Sequence, residues 1–188
     1  RLTRLSEDLL LLARADREEL RLERRRVPVA DLLAEAGARM RRAYGAGIEV
    51  EVEPGAADEV DADPARVEQA LANLVANAFR YGAEHVRIRA AAHGRDAVRV
   101  HVSDDGPGFD PEFLPRAFAR FARAPGESRA SGSGLGLAIV AAIARAHGGE
   151  AGARNLERGA DVWIALPRSG ADQAGASSTG TTSTGTRL

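Results

Sequence analysis

Asn73, Asn77 and Arg80 stand four and three residues apart, so a helix carrying them presents two amides and a guanidinium in one narrow stripe. Neutral amides are uncommon in a helix otherwise built from Ala, Leu and Val, because their side chains compete for backbone hydrogen bonds. In line with an Arg they could hold a hydrated metal and phosphate oxygens; an ordinary polar face is the plain alternative. Val102-Ser103-Asp104-Asp105-Gly106-Pro107-Gly108 puts a carboxylate at a strand end, before a turn with two glycines. Such a carboxylate can accept a hydrogen bond from a buried amine, and the glycines let backbone approach a flat ligand closely. An aspartate-rich turn has the same composition. Ser131-Gly132-Ser133-Gly134-Leu135-Gly136-Leu137 opens an apolar helix, and free N–H groups at a positive helix end make an anion cradle. A Gly-rich linker is the alternative here. No strand leads directly into this run, which excludes a dinucleotide fingerprint.

These groups need a frame. Leu2, Leu5, Leu9 and Leu12 are spaced as in a bundle seam, so a helix is expected from Leu2 to about Arg25, its seam covered by a partner in a second chain or in missing sequence; packing on its own domain is the plain alternative. Arg24-Arg25-Arg26 reads as its solvated end, broken by Val27-Pro28. A second helix is expected from about Val29 to Arg42, and Ile48 to Val52 alternates as a half-buried strand. Asp63 as N-cap and Pro64 at the first helical position start the helix that carries the amides, which should run to about Tyr81. His85 to Ala90 and Ala97 to Val102 form an antiparallel pair around Gly94. A short helix is expected around Glu112 to Phe121 and an apolar one from Leu135 to His147. Glu150 to Arg154 and Asp161 to Leu166 close the sheet, and Ser169 to Thr186 has the composition of a disordered tail. The expected fold class is α+β, a two-layer sandwich. Its mixed, mostly antiparallel sheet is covered on one face by helices and preceded by one bundle helix.

Composition narrows the chemistry. The chain has 188 residues, 44% of them hydrophobic, enough for one ordinary domain with an appendage. There is no Lys, so all 26 basic residues are Arg, against 27 acidic ones. The net charge of −1 argues against a nucleic-acid partner, and the missing Lys excludes a P-loop. Zero Cys excludes a disulfide scaffold and a thiol nucleophile. The apolar run from Leu135 to Ala144 is far short of the ~20 residues that cross a bilayer. The chain opens with Arg1 rather than Met, as a fragment of something longer would.

In order and spacing, the three constellations resemble the ATP-binding domain shared by sensor histidine kinases, DNA gyrase and mismatch-repair ATPases. They are most similar to the catalytic domain of a bacterial two-component sensor histidine kinase. Asn73-Leu74-Val75-Ala76-Asn77-Ala78 with Arg80-Tyr81 is similar to its N box, and Asp104, Gly106 and Gly108 to its first glycine box. Phe118-Ala119-Arg120-Phe121 is similar to its F box, and Gly132-Ser133-Gly134-Leu135-Gly136-Leu137 to its second glycine box. The resemblance covers about Leu2 to Leu166 and implies ATP and Mg²⁺ as cofactors. It implies that Asp104 bonds the adenine amine with Gly108 supporting the pocket, and that Asn77 coordinates Mg²⁺. Arg80 would meet a phosphate where Lys is common, and Tyr81 would lie near the nucleotide. Pro111 to Ser131 would be a lid anchored by Phe118 and Phe121, and Gly134 and Gly136 would offer N–H groups to the phosphates. Residues 1–26 would be the second helix of the dimerisation and phosphoacceptor hairpin, 27–168 the catalytic domain and 169–188 the tail. The hairpin's missing upstream helix, a response-regulator receiver domain and a second copy of the chain follow as partners. A soluble, cytoplasmic fragment of a membrane sensor is the implied setting.

Two departures shape the expected reaction. Hydrolysing members of this superfamily carry a Glu four residues before the metal-binding Asn; here that position is Asn73, which cannot act as a base at neutral pH. Glu68, nine residues before Asn77, falls on the opposite side of the helix. Phosphoryl transfer to a protein side chain therefore fits better than hydrolysis. The phosphoacceptor His is missing, because His85, His93, His101 and His147 all lack its setting, so the chain should bind ATP without autophosphorylating. Two alternatives share the ATP fold: a stand-alone serine kinase that inhibits a sigma factor, and a nucleotide-binding pseudokinase. The seam helix and F box argue against the first, the complete glycine boxes against the second.

Overall fold

The computed structural model describes residues 2–53, 55–56, 59–124 and 133–169, with side chains from residue 5 onward. The end of the expected lid (125–131), Gly132 of the Gly-rich run and the tail beyond residue 169 lie outside the described residues. The elements run α1 (Leu2–Asp16), β1 (Arg25–Pro28), α2 (Val29–Tyr44), β2 (Ile48–Val52), β3 (Glu59–Ala62) and α3 (Pro64–Arg80). They continue with β4 (Val86–His93), β5 (Ala97–Asp104), a 3₁₀ turn (Leu114–Arg116), α4 (Gly136–Ala146), β6 (Ala151–Asn155) and β7 (Ala160–Pro167).

Five strands form one sheet in the order β2-β4-β5-β7-β6, with β2 parallel to β4 and the other pairs antiparallel. Alternation along each strand decides which face is covered. Val86, Ile88, Val98, Val100, Val102, Val162, Ile164 and Leu166 are buried in one core with the apolar faces of α2, α3 and α4. The opposite face is polar: Arg87 reaches Glu49 at 3.1 Å and Arg99 reaches Glu150 at 3.0 Å. Asp161 is buried there, accepting from Ser103 Oγ and Arg154 Nε at 3.0 Å each, with His101 Nδ1 also 3.0 Å away. Burial pushes its carboxyl up, but bonding from His101 and Ser103 and the charges of His101 and Arg154 outweigh that and hold it below 3.8. The expected two-layer α+β sandwich is the observed architecture.

The helix carrying the amides starts where its residues direct. Asp63 caps it by accepting from Arg66 N–H at 3.2 Å, and Pro64 occupies the first turn, where a missing N–H costs nothing. Asp63 also accepts from Glu23 N–H, and its own N–H donates to His147 Nε2, each at 3.0 Å. One residue thereby ties the chain before β1, the start of α3 and the end of α4.

Three local expectations are corrected. The first helix ends at Asp16, not near Arg25: Glu19 N–H closes on Arg14 O and Glu18 turns at φ 58°. Arg25 and Arg26 are not a solvated helix end but part of β1, which pairs antiparallel with β3 and buries Val27 and Val60. Instead of a helix over Glu112 to Phe121 there are turns around Leu114–Arg116. Pro111 and Pro115 cannot donate into a helical ladder, and Phe121 sits at φ 58°, outside helical space.

Candidate functional site

Between α3, the end of β5, the start of β7 and the start of α4 lies a cleft enclosing about 970 Å³, its open mouth included. Leu74, Val102, Leu137 and Val162 give it apolar walls. Asn77, Arg80 and Tyr81 line it from α3, Asp104 and Gly108 from the end of β5, and Gly134, Gly136 and Leu137 from the start of α4. Eight residues singled out in the sequence, Tyr81 among them by resemblance alone, therefore converge on one cavity from three separate segments.

Asp104 is the polar end. Strand register puts it opposite Val86 and on the same face as Val102, so its side chain turns toward the helices rather than the polar face. Its Oδ1 accepts from Gly106 N–H at 2.9 Å and from Ala160 N–H at 3.3 Å. Among the described residues, no donor reaches Oδ2. Burial pushes this carboxyl above its usual 3.8, against the pull of the two backbone donors, with the neighbouring Asp105 charge adding to the rise. A half-buried carboxylate with one oxygen held and the other open is suited to accept from an amine. Asp105 is committed elsewhere, its Oδ1 accepting from the Glu84 and His85 N–H groups at 2.8 and 3.0 Å. Those bonds, led by His85, hold its carboxyl below 3.8.

The other end of the cleft suits an anion. Helix α4 has eleven residues and no side-chain cap on its first turn, so its leading N–H groups and positive dipole end are available. Gly134 adopts φ +70°, and a Cβ there would lie 2.9 Å from Phe121 backbone atoms, so no other residue fits this approach. Ser133 stands beside this turn, with Leu135 N–H 3.4 Å from its Oγ. Arg80 and Arg123 bring positive charge to the same cavity. Asn73 sits one turn before Asn77; Gly136 packs against it, where an added Cβ would meet Asn73 Cβ at 3.9 Å. Its Nδ2 is buried with no hydrogen-bond partner among the described residues. Asn73, expected among the nucleotide-binding residues, does not itself line the cleft; an orphaned buried donor costs stability, and an ordered water would satisfy it.

Several expected residues lie elsewhere. Gly106 shapes the turn that holds Asp104 and packs on Ala83. Leu135 is fully buried in the core. Phe118 packs against the core alongside the buried Phe113 and Ala117, whereas Phe121 is 59% exposed and does not anchor the segment. Arg120 turns away from the cleft, donating to Leu12 O at 3.2 Å and pairing with Asp16 on α1. Arg123 lines the cleft in its place. In the sequence it is only one more Arg, three residues past Arg120, since the reversal at Phe121 decides which of the two faces inward. Ala160 also escapes sequence reasoning, because a backbone donor leaves no mark on residue type.

Residues 62–170 match the family described as "Histidine kinase-, DNA gyrase B-, and HSP90-like ATPase". The chain is 44% identical over 169 residues to a probable sensor histidine kinase HK of Mycobacterium tuberculosis (strain CDC 1551 / Oshkosh), covering 89% of this chain and 44% of that protein. It is 43% identical to the sensor histidine kinase component HK1 of Mycobacterium tuberculosis (strain ATCC 25618 / H37Rv), covering 75% of this chain and 82% of the relative. Among solved structures it is similar to full-length ShkA in complex with AMPPNP, with a TM-score of 0.73 at 33% identity over 89% of this chain and 36% of the other. The ATP-binding domain of PrrB from Mycobacterium tuberculosis gives a TM-score of 0.63 at 30% identity, covering 78% of this chain and 98% of that domain. The chain belongs to the histidine kinase-, DNA gyrase B- and HSP90-like ATPase family, as the ATP-binding catalytic domain of a sensor histidine kinase.

Proposed function

We propose that this domain transfers the ATP γ-phosphate to a histidine on the first helix of a dimerisation hairpin, for relay to an aspartate of a response-regulator receiver domain. The observation that carries it is Asn73. The position that would activate water for hydrolysis holds an amide, and the nearest acid on α3, Glu68, is bound to Arg39 at 2.8 Å outside the cleft. With an amide at that position and no acid of α3 lining the cleft, the arrangement favours holding ATP intact until a protein nucleophile arrives.

In this reading Asp104 Oδ2 accepts from the adenine amine, and Leu74, Val102, Leu137 and Val162 enclose the base. Gly134, Gly136 and the first turn of α4 cradle the phosphates, with Arg80 and Arg123 neutralising their charge. Asn77 would hold Mg²⁺, which supplies charge neutralisation at the phosphates. A single amide oxygen suits a hard cation that draws its other ligands from phosphates and water, and no carboxylate or imidazole cluster competes for it among the described residues. Transfer then makes a bond from an imidazole nitrogen to phosphorus and breaks the bond to the β-phosphate oxygen, leaving ADP. The domain's part is positioning and electrostatics.

Helix α1 would be the hairpin's second helix, with residues 27–168 as the catalytic unit. Leu9 and Leu10 are exposed on α1 while Leu11 and Leu12 are buried against the domain, which supports a homodimer formed through the uncovered side. No helix among the described residues is long and apolar enough to cross a membrane; a membrane-anchored parent is part of the proposal.

The test is transfer in trans. With labelled ATP and a hairpin fragment from the parent carrying a histidine, the chain should label the fragment, and Asn77→Ala should abolish labelling. Acid-stable label on this chain would point instead to Ser or Thr phosphorylation. ATP binding without transfer to the parent's hairpin would count against kinase activity.

A further inference from the structure

The turn between β6 and β7 reaches back over the loop that follows Asp104, touching it repeatedly. Asn155 Oδ1 accepts from Phe109 N–H at 2.7 Å, and Asn155 Nδ2 donates to Phe109 O at 2.8 Å. Arg158 Nε donates to Asp105 O at 3.1 Å, and Ala160 N–H donates to Asp104 Oδ1 at 3.3 Å. Gly159, at φ +85°, passes so close that an added Cβ would lie 1.8 Å from Asp104 O. Gly108, at φ +76°, leaves room on the other side; a Cβ there would stand 3.0 Å from Asn155 Oδ1.

Between Asp104 and Phe109 the chain reads Asp105-Gly106-Pro107-Gly108, two glycines and a residue without an N–H. Such a segment has the conformational freedom to wander and few donors to stop it. Asn155 offers one acceptor and one donor, and both land on the main chain of a single residue, in the manner of a strand pair. Phe109 in turn lines the cleft and stacks on the anchored Phe113, ring centroids 6.4 Å apart. Asn155 itself is exposed, so it adds little to the core.

We propose that Asn155 is a positioning residue for the nucleotide base, acting through the Phe109 main chain to hold the loop after Asp104 against the cleft. The inference rests on reading the cleft as the ATP site. Without the two-point grip the loop moves relative to Asp104, and the carboxylate no longer meets a base amine at fixed geometry. The phosphate end, built from α3 and α4, is untouched.

The full chain and its Asn155→Ala variant are titrated with ATP, with purine riboside triphosphate, which lacks the base amine, and with inorganic tripolyphosphate. Asn155→Ala should weaken ATP about tenfold, the scale of a lost pair of neutral hydrogen bonds. It should narrow the preference for ATP over the amine-free analogue and leave tripolyphosphate affinity and the unfolding midpoint nearly unchanged. Asn155→Asp, which keeps the acceptor and loses the donor, should fall between. Equal weakening of all three ligands together with a lowered midpoint in both variants would make Asn155 a scaffold residue and overturn the proposal. So would an Asn155→Ala variant that discriminates as the unmodified chain does. An unmodified chain with no preference for ATP over the analogue would sink the ATP-site reading itself, and the proposal with it.

Discussion

Arg120 pairs with Asp16, joining the segment after the 3₁₀ turn to the end of the first helix. The same guanidinium donates to Leu12 O at 3.2 Å, so it grips both a side chain and the last turn of α1. The hydrogen bond from Arg120 is the main cause holding the Asp16 carboxyl below its usual 3.8. Next in sequence, Phe121 takes a left-handed conformation and passes its backbone against Gly134 of the anion cradle. Helix α1 and the end of the cleft proposed to hold phosphate are thus linked through two adjacent residues.

This arrangement separates two arginines that sequence alone would treat alike. Arg120→Ala should leave ADP affinity within about twofold, as surface substitutions usually do, while raising amide exchange in α1. Arg123→Ala should weaken ADP about tenfold, the scale of one charge-assisted hydrogen bond. Isothermal titration of both variants decides it; a larger loss for Arg120→Ala would return that residue to the nucleotide site.

Asp104→Asn should trade binding for stability. Asn keeps an oxygen to accept from Gly106 and Ala160 but turns a donor toward the base amine. Losing that bond to a charged acceptor costs about 1.5–3 kcal/mol, or roughly 10- to 150-fold in affinity. In the ligand-free protein the effect has the opposite sign. Burial raises the Asp104 pKa above 3.8, so the folded state binds its proton more readily than the unfolded chain. The charged form is therefore a stability cost present above the folded pKa and absent below 3.8. Asp104→Asn should raise the unfolding midpoint near neutral pH, with the gain shrinking as pH falls toward 3.8. A lowered midpoint with unchanged ATP affinity would overturn the assignment.

Legibility in the sequence depends on where the determinants sit. Helix α3 is readable nearly to the residue, because Asp63-Pro64 marks its start and Val67, Leu71, Leu74, Val75 and Ala78 repeat at helical spacing. The central strands announce themselves through alternating Val and Ile. Strands β1 and β3 do not, since each has four residues and neither shows its register without the other. The cleft's glycines are visible as glycines, but not which of them require their conformation. Ala160 and Phe109 act through main-chain groups, which no residue type encodes.

His147 is a buried structural residue, and its environment makes it a source of acid sensitivity. It is fully buried; Nδ1–H donates to Ile143 O at 2.8 Å, and Nε2 accepts from Asp63 N–H at 3.0 Å. Both nitrogens are committed in the neutral form, and a second proton would break the bond from Asp63. Burial is the main cause lowering its pKa from 6.5; the Ile143 bond and the charges of Asp63 and Asp61 oppose this, and Arg24 reinforces it. The unfolded chain then binds more protons, so stability rises with pH in this window. The contribution is whole above about 6.5 and is lost progressively as pH falls from there toward the folded pKa. His147→Gln should lower stability by about 1–3 kcal/mol at neutral pH and flatten the pH profile below 6.5. Denaturant titrations at a series of pH values measure both; an unchanged slope would assign the acid sensitivity to another group.

Gly134 offers the sharpest separation of the two ends of the cleft. At φ +70° a side chain costs about 1–2 kcal/mol in backbone strain alone. Its Cβ would also meet Phe121 C and Cα at 2.9 Å and Ala122 O at 3.0 Å. Those atoms are backbone, so relief requires moving the Phe121 segment away from the start of α4. The cradle would open while Asp104, held by Gly106 and Ala160 on the far side, stays in place. Gly134→Ala should therefore weaken ADP at least tenfold, the equivalent of about 1.4 kcal/mol, and change adenosine affinity by less than about twofold. Paired titrations with adenosine and ADP, alongside an unfolding curve, check the split. If adenosine is lost in proportion to ADP, the glycine supports the whole cleft rather than its phosphate end.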